Sequence, residues 1–246
     1  MLTSTWIGKQ LMDDLTYFDD ITVELNVESL MDKIKLRKSL RGSKDFLWAV
    51  EQAKELVHPR AILGKAKVSL INDTKVMIED QEFTSRILRV NLESSELVYP
   101  FIATIGPELE AVAAKQERLT KKFFLEIIGD FVLTNSVWQI ENKAKEKFSI
   151  SRNSTMTPGS LENWPITQQV PLFNLFGEGL KKVGVELTSS MLMKPRKSIS
   201  GISFETDRVF INCQLCQRDR CPGRRAKYMP EKFAEYDLPI PTVSKK

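Results

Sequence analysis

The stretch Met156-Thr-Pro-Gly-Ser-Leu-Glu-Asn-Trp-Pro-Ile-Thr-Gln-Gln169 belongs to a connection, from Ser149 to Thr167, that lacks the periodicity of a helix or a strand. Glycine and proline punctuate it, and serine, threonine and asparagine supply much of the rest, as in loops. A second unusual stretch follows it: Val183-Gly-Val-Glu-Leu-Thr-Ser-Ser-Met-Leu-Met-Lys-Pro-Arg-Lys-Ser-Ile-Ser-Gly201. Long connections are uncommon in compact domains and are usually functional. We therefore expect the functional site beside these stretches.

Regular elements flank both stretches. Apolar residues at helical spacing predict helices over 43–57, over 121–148 and from Gln168 onward. The longest helix has Phe124, Ile128, Phe131 and Trp138 on its main apolar face. Alternating segments predict a hairpin of 67–71 with 75–78, and strands over 82–92, 97–105, 198–204 and 208–212. Because strands and helices mix without a regular βαβ alternation, the sequence predicts the α+β class with an antiparallel sheet.

In order and spacing the two stretches resemble the activation domain of cobalamin-dependent methionine synthase. That domain has a Pro-Gly loop, a helix, and then a Leu-Thr-x-Ser-x-x-Met segment that ends in Ser-Val-Ser-Gly. Ala103-Thr-Ile-Gly-Pro-Glu-Leu-Glu110 and Leu125-Glu-Ile-Ile-Gly129 are similar to its stand-alone relatives beside corrinoid methyltransferases. The resemblance implies a C-shaped single domain with a twisted antiparallel sheet and long central helices.

The same resemblance suggests how the chain is divided. Residues 1–95 form an N-terminal portion of helices and strands, and 96–212 form the activation-domain-like core. A cysteine-rich metal loop follows over 213–228. The last segment, 237–246, is expected to be a flexible tail because it is terminal and contains Pro239 and Pro241.

The resemblance also implies a function. In that family S-adenosylmethionine binds in a shallow groove that lies over a corrinoid carried by another domain. Inactive cob(II)alamin is reduced by a low-potential electron donor and remethylated by S-adenosylmethionine, so the cofactors carry the chemistry and the protein positions them. The implied partners are a corrinoid protein or corrinoid methyltransferase and an electron donor. The groove residues carried over are Asp130, Thr155, Thr157, Pro158, Gly159, Ser160, Trp164, Ser198, Ser200 and Gly201.

The match has gaps at two loop positions. The family loop reads Arg-x-x-Pro-Gly-Tyr, but Thr155 stands in the place of the arginine and Ser160 in the place of the tyrosine. The arginine is expected to clamp the methionine carboxylate, and threonine cannot form such a bidentate pair. Asp130 is the candidate for the acidic residue that the family carries on its long helix. Trp164 either stacks on an adenine or corrin edge or anchors the loop by packing on Phe173.

All three cysteines lie within nine residues, as Cys213-Gln-Leu-Cys216-Gln-Arg-Asp-Arg-Cys221. Three thiolates at this spacing are able to share zinc or an iron–sulfur cluster, and the spacing does not choose between them. A fourth ligand is missing from the loop, and His58, the only histidine, is one candidate. Reduced, unligated thiols are the alternative. If the family geometry holds, the cysteines lie at the rim of the groove.

Composition narrows the function classes. The formal charge of +4 is spread along the 246 residues and gives no reason to expect nucleic acid binding. No apolar run is long enough to span a membrane, and no basic leader with an apolar run opens the chain. Clustered, odd-numbered cysteines argue against a secreted disulfide scaffold, so a cytoplasmic protein is expected. A single histidine also argues against a Ser-His-Asp hydrolase.

Two functions from different classes follow. The first is an accessory protein of corrinoid-dependent methyl transfer that docks on a corrinoid protein and assists reductive reactivation of cobalamin, with S-adenosylmethionine. Whether it acts as an enzyme is left open. The second is a non-catalytic interaction module with a structural zinc knuckle that has lost S-adenosylmethionine binding.

Overall fold

The computed structural model describes residues 12, 14–34, 37–207, 209–218, 221 and 224–241. The strands are β1 (Leu15–Phe18), β2 (Arg60–Gly64), β3 (Ala66–Leu70), β4 (Lys75–Ile78), β5 (Gln81–Thr84), β6 (Leu97–Thr104), β7 (Asn153–Met156), β8 (Glu186–Leu187), β9 (Met193–Lys194) and β10 (Ser198–Glu205). The helices are α1 (Val27–Lys33), α2 (Lys44–Leu56), α3 (Arg86–Asn91), α4 (Glu108–Ala114), α5 (Leu119–Phe148), α6 (Gln169–Phe176) and α7 (Leu180–Val183). This mixture of helices with an antiparallel sheet confirms the predicted α+β class. No described helix is long and apolar enough to cross a membrane.

Strand β6 lies at the centre of the main sheet. Strand β10 pairs with one of its edges over seven residues, and β2 and β3 follow each other along the other edge. Strand β7 pairs with the far side of β10, with Thr155 opposite Ser203. Strands β3, β4 and β5 continue as a meander, and β8 and β9 form a separate pair. All these pairings are antiparallel, and they join strands from both sides of residue 96 into one sheet.

The main sheet is covered on both faces because its side chains alternate along each strand. Ile202 and Phe204 of β10 belong to a buried cluster that includes Leu172 and Phe176 of helix α6, and we call this side the α6 face. Ile199, one position out of phase with them, packs on the opposite side with residues of helix α5. That side is the α5 face.

Helix α5 confirms the longest predicted helix and reaches three parts of the core. Its first half contributes Phe124, Ile128 and Val132 to a cluster with helices α2 and α4. Its second half lays Ile140 and Ala144 on the α5 face of the sheet. The expectation that Trp138 lies on the buried face is wrong, since this side chain is 63% exposed.

Two further sequence predictions are corrected. Residues 82–92 do not form one strand, because the side chain of Ser85 accepts a hydrogen bond from Leu88 N at 3.1 Å and starts helix α3. A strand over 208–212 is also absent from the part described, 209–212, and Arg208 lies outside it. Phe210 N donates instead to the Ser154 hydroxyl at 2.7 Å, so a side chain replaces a strand partner.

The end of the described chain contacts the body. Arg86 forms an ion pair with Asp237, and Gln217 Nε2 donates to Pro241 O at 2.9 Å. The flexible tail and the division of the chain near residue 96 stay predictions, and 242–246 lie outside the described residues.

Candidate functional site

A polar surface, which we call the groove, lies where helix α5 meets the edge strand β7. Thr155 Oγ1 donates to Glu141 Oε1 at 2.6 Å, and Asn153 Nδ2 donates to Ser203 Oγ at 2.8 Å. Alternation in β7 sends Ser154 and Met156 to the opposite side, where both are buried. We define the groove by Trp138, Glu141, Asn153, Thr155 and Ser203.

Helix α5 supplies one wall of the groove. Trp138 and Glu141 are three residues apart and therefore lie on the same side of the helix. Glu141 is half-buried and Trp138 is largely exposed. A carboxylate beside an accessible aromatic ring is suited to a ligand that carries both a positive charge and a planar group.

Asp130, the acidic residue chosen from the sequence, lies elsewhere on the same helix. It accepts from Lys197 Nζ at 2.5 Å, and Lys197 also pairs with Glu126 at 2.8 Å. Eleven helical residues separate Asp130 from Glu141, which is about 16 Å along the axis. Glu141 is therefore the acidic residue that the structure places beside Thr155. The sequence did not single out Glu141, because the second half of this helix carries many other charged and polar residues.

Two predicted glycines hold the backbone near the groove in tight conformations. A Cβ atom on Gly201 would lie 2.7 Å from the carbonyl oxygen of Met156. Gly159 has a positive φ of 80°, and its N–H donates to Trp164 O at 2.8 Å. The turn after Pro158 is closed by Ser160 N, which donates to Thr157 O at 3.2 Å. These contacts position the loop directly after strand β7.

Three other predicted groove residues belong to the α6 face. Trp164 has none of its surface exposed and lies in the core cluster with Phe173, so it anchors the loop from inside. Ser198 Oγ donates to Pro195 O at 2.6 Å, and Ser200 Oγ is buried without a partner. The structure thus separates Trp164, Ser198 and Ser200 from Thr155.

The Pro-Gly loop meets the cysteine loop on this second side. Asn212 Nδ2 donates to Ser160 Oγ at 2.8 Å. A cleft of about 800 Å³ lies between residues 160–163 and residues 215–217, with Phe233 and residues 238–239 and 241 on its other walls. Cys216 lines this cleft, while Thr155 faces helix α5. The cysteines therefore adjoin the Pro-Gly loop but not the groove itself.

The three thiols are free and half-buried. Burial opposes ionisation of Cys213, but hydrogen bonds from the backbone N–H groups of Arg225 and Ala226 and the charges of Arg225 and Arg224 outweigh it, so the pKa of this thiol is lowered. Among the residues that the structure describes, no three Cys, His, Asp or Glu side chains form a group able to hold a metal ion. In the part of the cysteine loop that the structure describes, the three thiols therefore do not form the converging group that zinc or a cluster needs.

The groove fits S-adenosylmethionine in part. Glu141 offers a carboxylate to a cationic ligand. Thr155 stands where the arginine that would hold a ligand carboxylate is expected. Arg152, the nearest arginine in sequence, does not take over this part, because its Nη1 donates to Asp207 O at 3.0 Å. Cation binding is thus supported by the groove, whereas the carboxylate clamp is not.

The fold is similar to the crystal structure of the MetH reactivation domain bound to AdoHcy. The TM-score is 0.53 at 15% sequence identity, over 83% of this chain and 83% of that one. The chain has the reactivation-domain fold. At this identity the likeness to the reactivation domain concerns the fold alone. No protein-family model and no curated protein matches the sequence.

Proposed function

We propose that the protein docks on a corrinoid-carrying protein and assists the reductive reactivation of its cobalamin, with S-adenosylmethionine held in the groove. The observation that carries the proposal is the contact of Glu141 with Thr155, at 2.6 Å, on the α5 face of a reactivation-domain fold. The solved domain of this fold has AdoHcy bound, and AdoHcy is what remains when S-adenosylmethionine gives up its methyl group.

Three groove residues hold the ligand in this proposal. The Glu141 carboxylate pairs with the positive charge of the ligand, and the Thr155 hydroxyl, by donating to that carboxylate, fixes its orientation. Trp138 presents an exposed ring one helical turn away for a planar group. Bound S-adenosylmethionine supplies the methyl group for cobalt. The protein contributes binding, orientation and exclusion of water.

The electron for cobalt reduction comes from a separate low-potential donor in this proposal. The described thiols do not converge into a group that would hold an iron–sulfur cluster. No reduction step is therefore assigned to Cys213, Cys216 or Cys221. In this proposal both the electron donor and the corrinoid protein dock on the surface around the groove.

Calorimetric titration of the protein with S-adenosylmethionine and with S-adenosylhomocysteine (AdoHcy) tests whether the groove binds this ligand. Because Glu141 pairs with the sulfonium in this proposal, S-adenosylmethionine is expected to bind at micromolar concentration and more tightly than S-adenosylhomocysteine, whose sulfur is uncharged. The matched control is Glu146→Gln, an exposed carboxylate on the same helix, which is expected to leave both affinities unchanged. Absence of heat up to millimolar ligand would exclude the groove as the site.

A second measurement tests the corrinoid partner. The protein is mixed with a corrinoid protein in the cob(II)alamin state, and complex formation is followed by sedimentation together with the visible spectrum. We expect one complex and a changed corrinoid spectrum, because docking of the protein would change the surroundings of the corrinoid. If the two proteins do not sediment together in the presence of S-adenosylmethionine, the proposed docking on a corrinoid protein is contradicted.

One observation favours the alternative function, a non-catalytic interaction module that has lost its ligand. Thr155 replaces the family arginine, and the guanidinium of Arg152 is directed to Asp207 O instead. Under this alternative the corrinoid protein still binds, but the titration with S-adenosylmethionine stays silent. The two experiments together therefore separate the two functions.

A further inference from the structure

The guanidinium of Arg224 lies at the centre of the cysteine loop. Its Nη1 donates to the carbonyl oxygens of Cys213 at 3.0 Å and Ala226 at 3.1 Å. Its Nη2 donates to the carbonyl oxygens of Cys216, at 3.0 Å, and Arg218. One rigid, planar cation thus joins four backbone carbonyls from both arms of the loop.

Backbone hydrogen bonds close the loop around this centre. Arg224 N donates to Cys221 O at 3.1 Å, and Met229 N donates to Gln214 O at 2.8 Å. With the guanidinium contacts, these bonds satisfy polar groups that a short loop without regular structure would otherwise expose. The loop is therefore cross-linked from its first cysteine to the segment after its last.

The loop is also attached to the hydrophobic core. Leu215 is 4% exposed and belongs to the core cluster of the α6 face, and Cys216 packs against that cluster. The rings of Tyr228 and Phe233 also contact each other edge to face, with their centroids 6.5 Å apart. Small metal-binding loops need the metal because they lack such a core, so the binding energy of the ion is their folding energy.

We infer that Arg224, and not a metal ion, organises the cysteine loop, and that Cys213, Cys216 and Cys221 are free thiols in the folded protein. A structural zinc site needs four ligands, whereas the loop carries three cysteines and the described residues form no converging group. This inference does not depend on the proposed corrinoid function.

Free thiols have a chemical consequence that metal-bound thiolates lack. The Cys216 side chain lines the cleft of about 800 Å³ and is accessible from it. Arg225 N lies 3.4 Å from Cys213 Sγ and donates to it. Both thiols should react with a small aromatic disulfide reagent in the native protein.

The first test is made on the wild-type protein, purified without oxygen. Zinc and iron are measured after gel filtration, and the thiols are titrated with the aromatic disulfide before and after addition of zinc and of a chelator. We expect no stoichiometric metal, reactive thiols, and no change on chelation. One zinc or iron equivalent per chain, or protection of all three thiols by one equivalent of zinc, would overturn the inference.

The second test compares variants by amide hydrogen exchange over residues 213–229. Arg224→Ala and Arg224→Lys are expected to accelerate exchange there by at least ~10-fold, since alanine removes the charge and lysine keeps it without the planar fork. The control replaces Cys213, Cys216 and Cys221 together by serine and is expected to retain wild-type protection. The reverse result, protection lost with serine but kept in both Arg224 variants, contradicts the inference.

Discussion

The two faces of the sheet edge formed by β10 and β7 differ in how their side chains are used. On the α6 face, Trp164 and Ile202 are completely buried. On the α5 face, Thr155 and Asn153 remain half-buried, and Thr155 is bound to Glu141. One strand pair therefore carries a closed hydrophobic core on one side and a polar groove on the other.

This difference separates stability from binding within a few residues. Removal of a large apolar side chain from the α6 face should lower the free energy of unfolding, because interiors are packed closely and relax little. A substitution in the groove removes a contact to a ligand and should change affinity with little effect on folding. Substitutions at Trp164 and Glu141 test that division, and a substitution at Gly201 tests the close backbone packing between the two strands.

The largest loss is expected from Trp164→Ala. The side chain is wholly buried, so its removal should lower the free energy of unfolding by about 3–5 kcal/mol. Urea unfolding followed by circular dichroism measures the change. A loss below about 1 kcal/mol would mean that the loop is not anchored by this ring.

Gly201→Ala is expected to come next. Its new methyl group would lie 2.7 Å from the carbonyl oxygen of Met156, and overpacking of this kind costs about 1–3 kcal/mol. The matched control is Ser200→Ala, one position away and on the opposite face. Removal of its unpaired hydroxyl should leave stability within about 1 kcal/mol of wild type, or raise it. Equal losses at both positions would mean that the close approach to the Met156 carbonyl does not cause the loss at Gly201.

Glu141→Gln tests the groove. The amide keeps an acceptor for Thr155 but loses the charge, so stability should change by less than about 0.5 kcal/mol. Affinity for S-adenosylmethionine should fall about 10-fold, as expected when a charge-assisted contact becomes neutral. Asp130→Asn serves as the control, because Asp130 is paired with Lys197 away from Thr155. A larger loss of affinity at Asp130 would restore the sequence-based candidate.

The smallest effect concerns the dependence of the free energy of unfolding on pH in the acid range. Burial raises the pKa of Glu126, but hydrogen bonds and charges from Lys197 and Arg196 outweigh it, so its pKa in the folded state lies below the ordinary 4.5. Glu126 therefore stabilises the fold above that ordinary value, and this contribution is lost as the pH falls through the lowered pKa.

Glu126→Gln should accordingly be less stable than wild type near neutral pH, and the two proteins should converge in acid. Urea midpoints measured at about pH 7 and about pH 3 check this sign. A difference that grows in acid would contradict it.

Much of the fold was accessible from sequence because its elements have strong periodic patterns. Helix α5, strand β6 and strand β10 agree with the predicted ranges to within a few residues. The strand prediction over 82–92 failed because the apolar content suggested a strand, whereas a single capping hydroxyl, that of Ser85, starts a helix. Local capping therefore decided a segment in which alternation alone was ambiguous.

The candidate site was harder to predict because it depends on pairing between distant segments. Alternation alone shows that Ser200 and Gly201 point to opposite faces, but not which face holds the groove. That answer comes from the register of Thr155 against Ser203 and from Glu141, which contacts Thr155 across the groove. Trp138 illustrates the same limit, since it is exposed although its spacing placed it on the main apolar face of the helix, whereas the burial of Trp164 agrees with the loop-anchor alternative.

Helix α5 also ties distant parts of the molecule into one cooperative unit. Phe124 near its beginning and Ala144 near its end belong to different core clusters, joined by an unbroken ladder of helical hydrogen bonds. Fraying at one end would withdraw side chains from the cluster at that end. We therefore expect a single melting transition, and slower amide exchange at the α2–α5 contact whenever a ligand occupies Glu141.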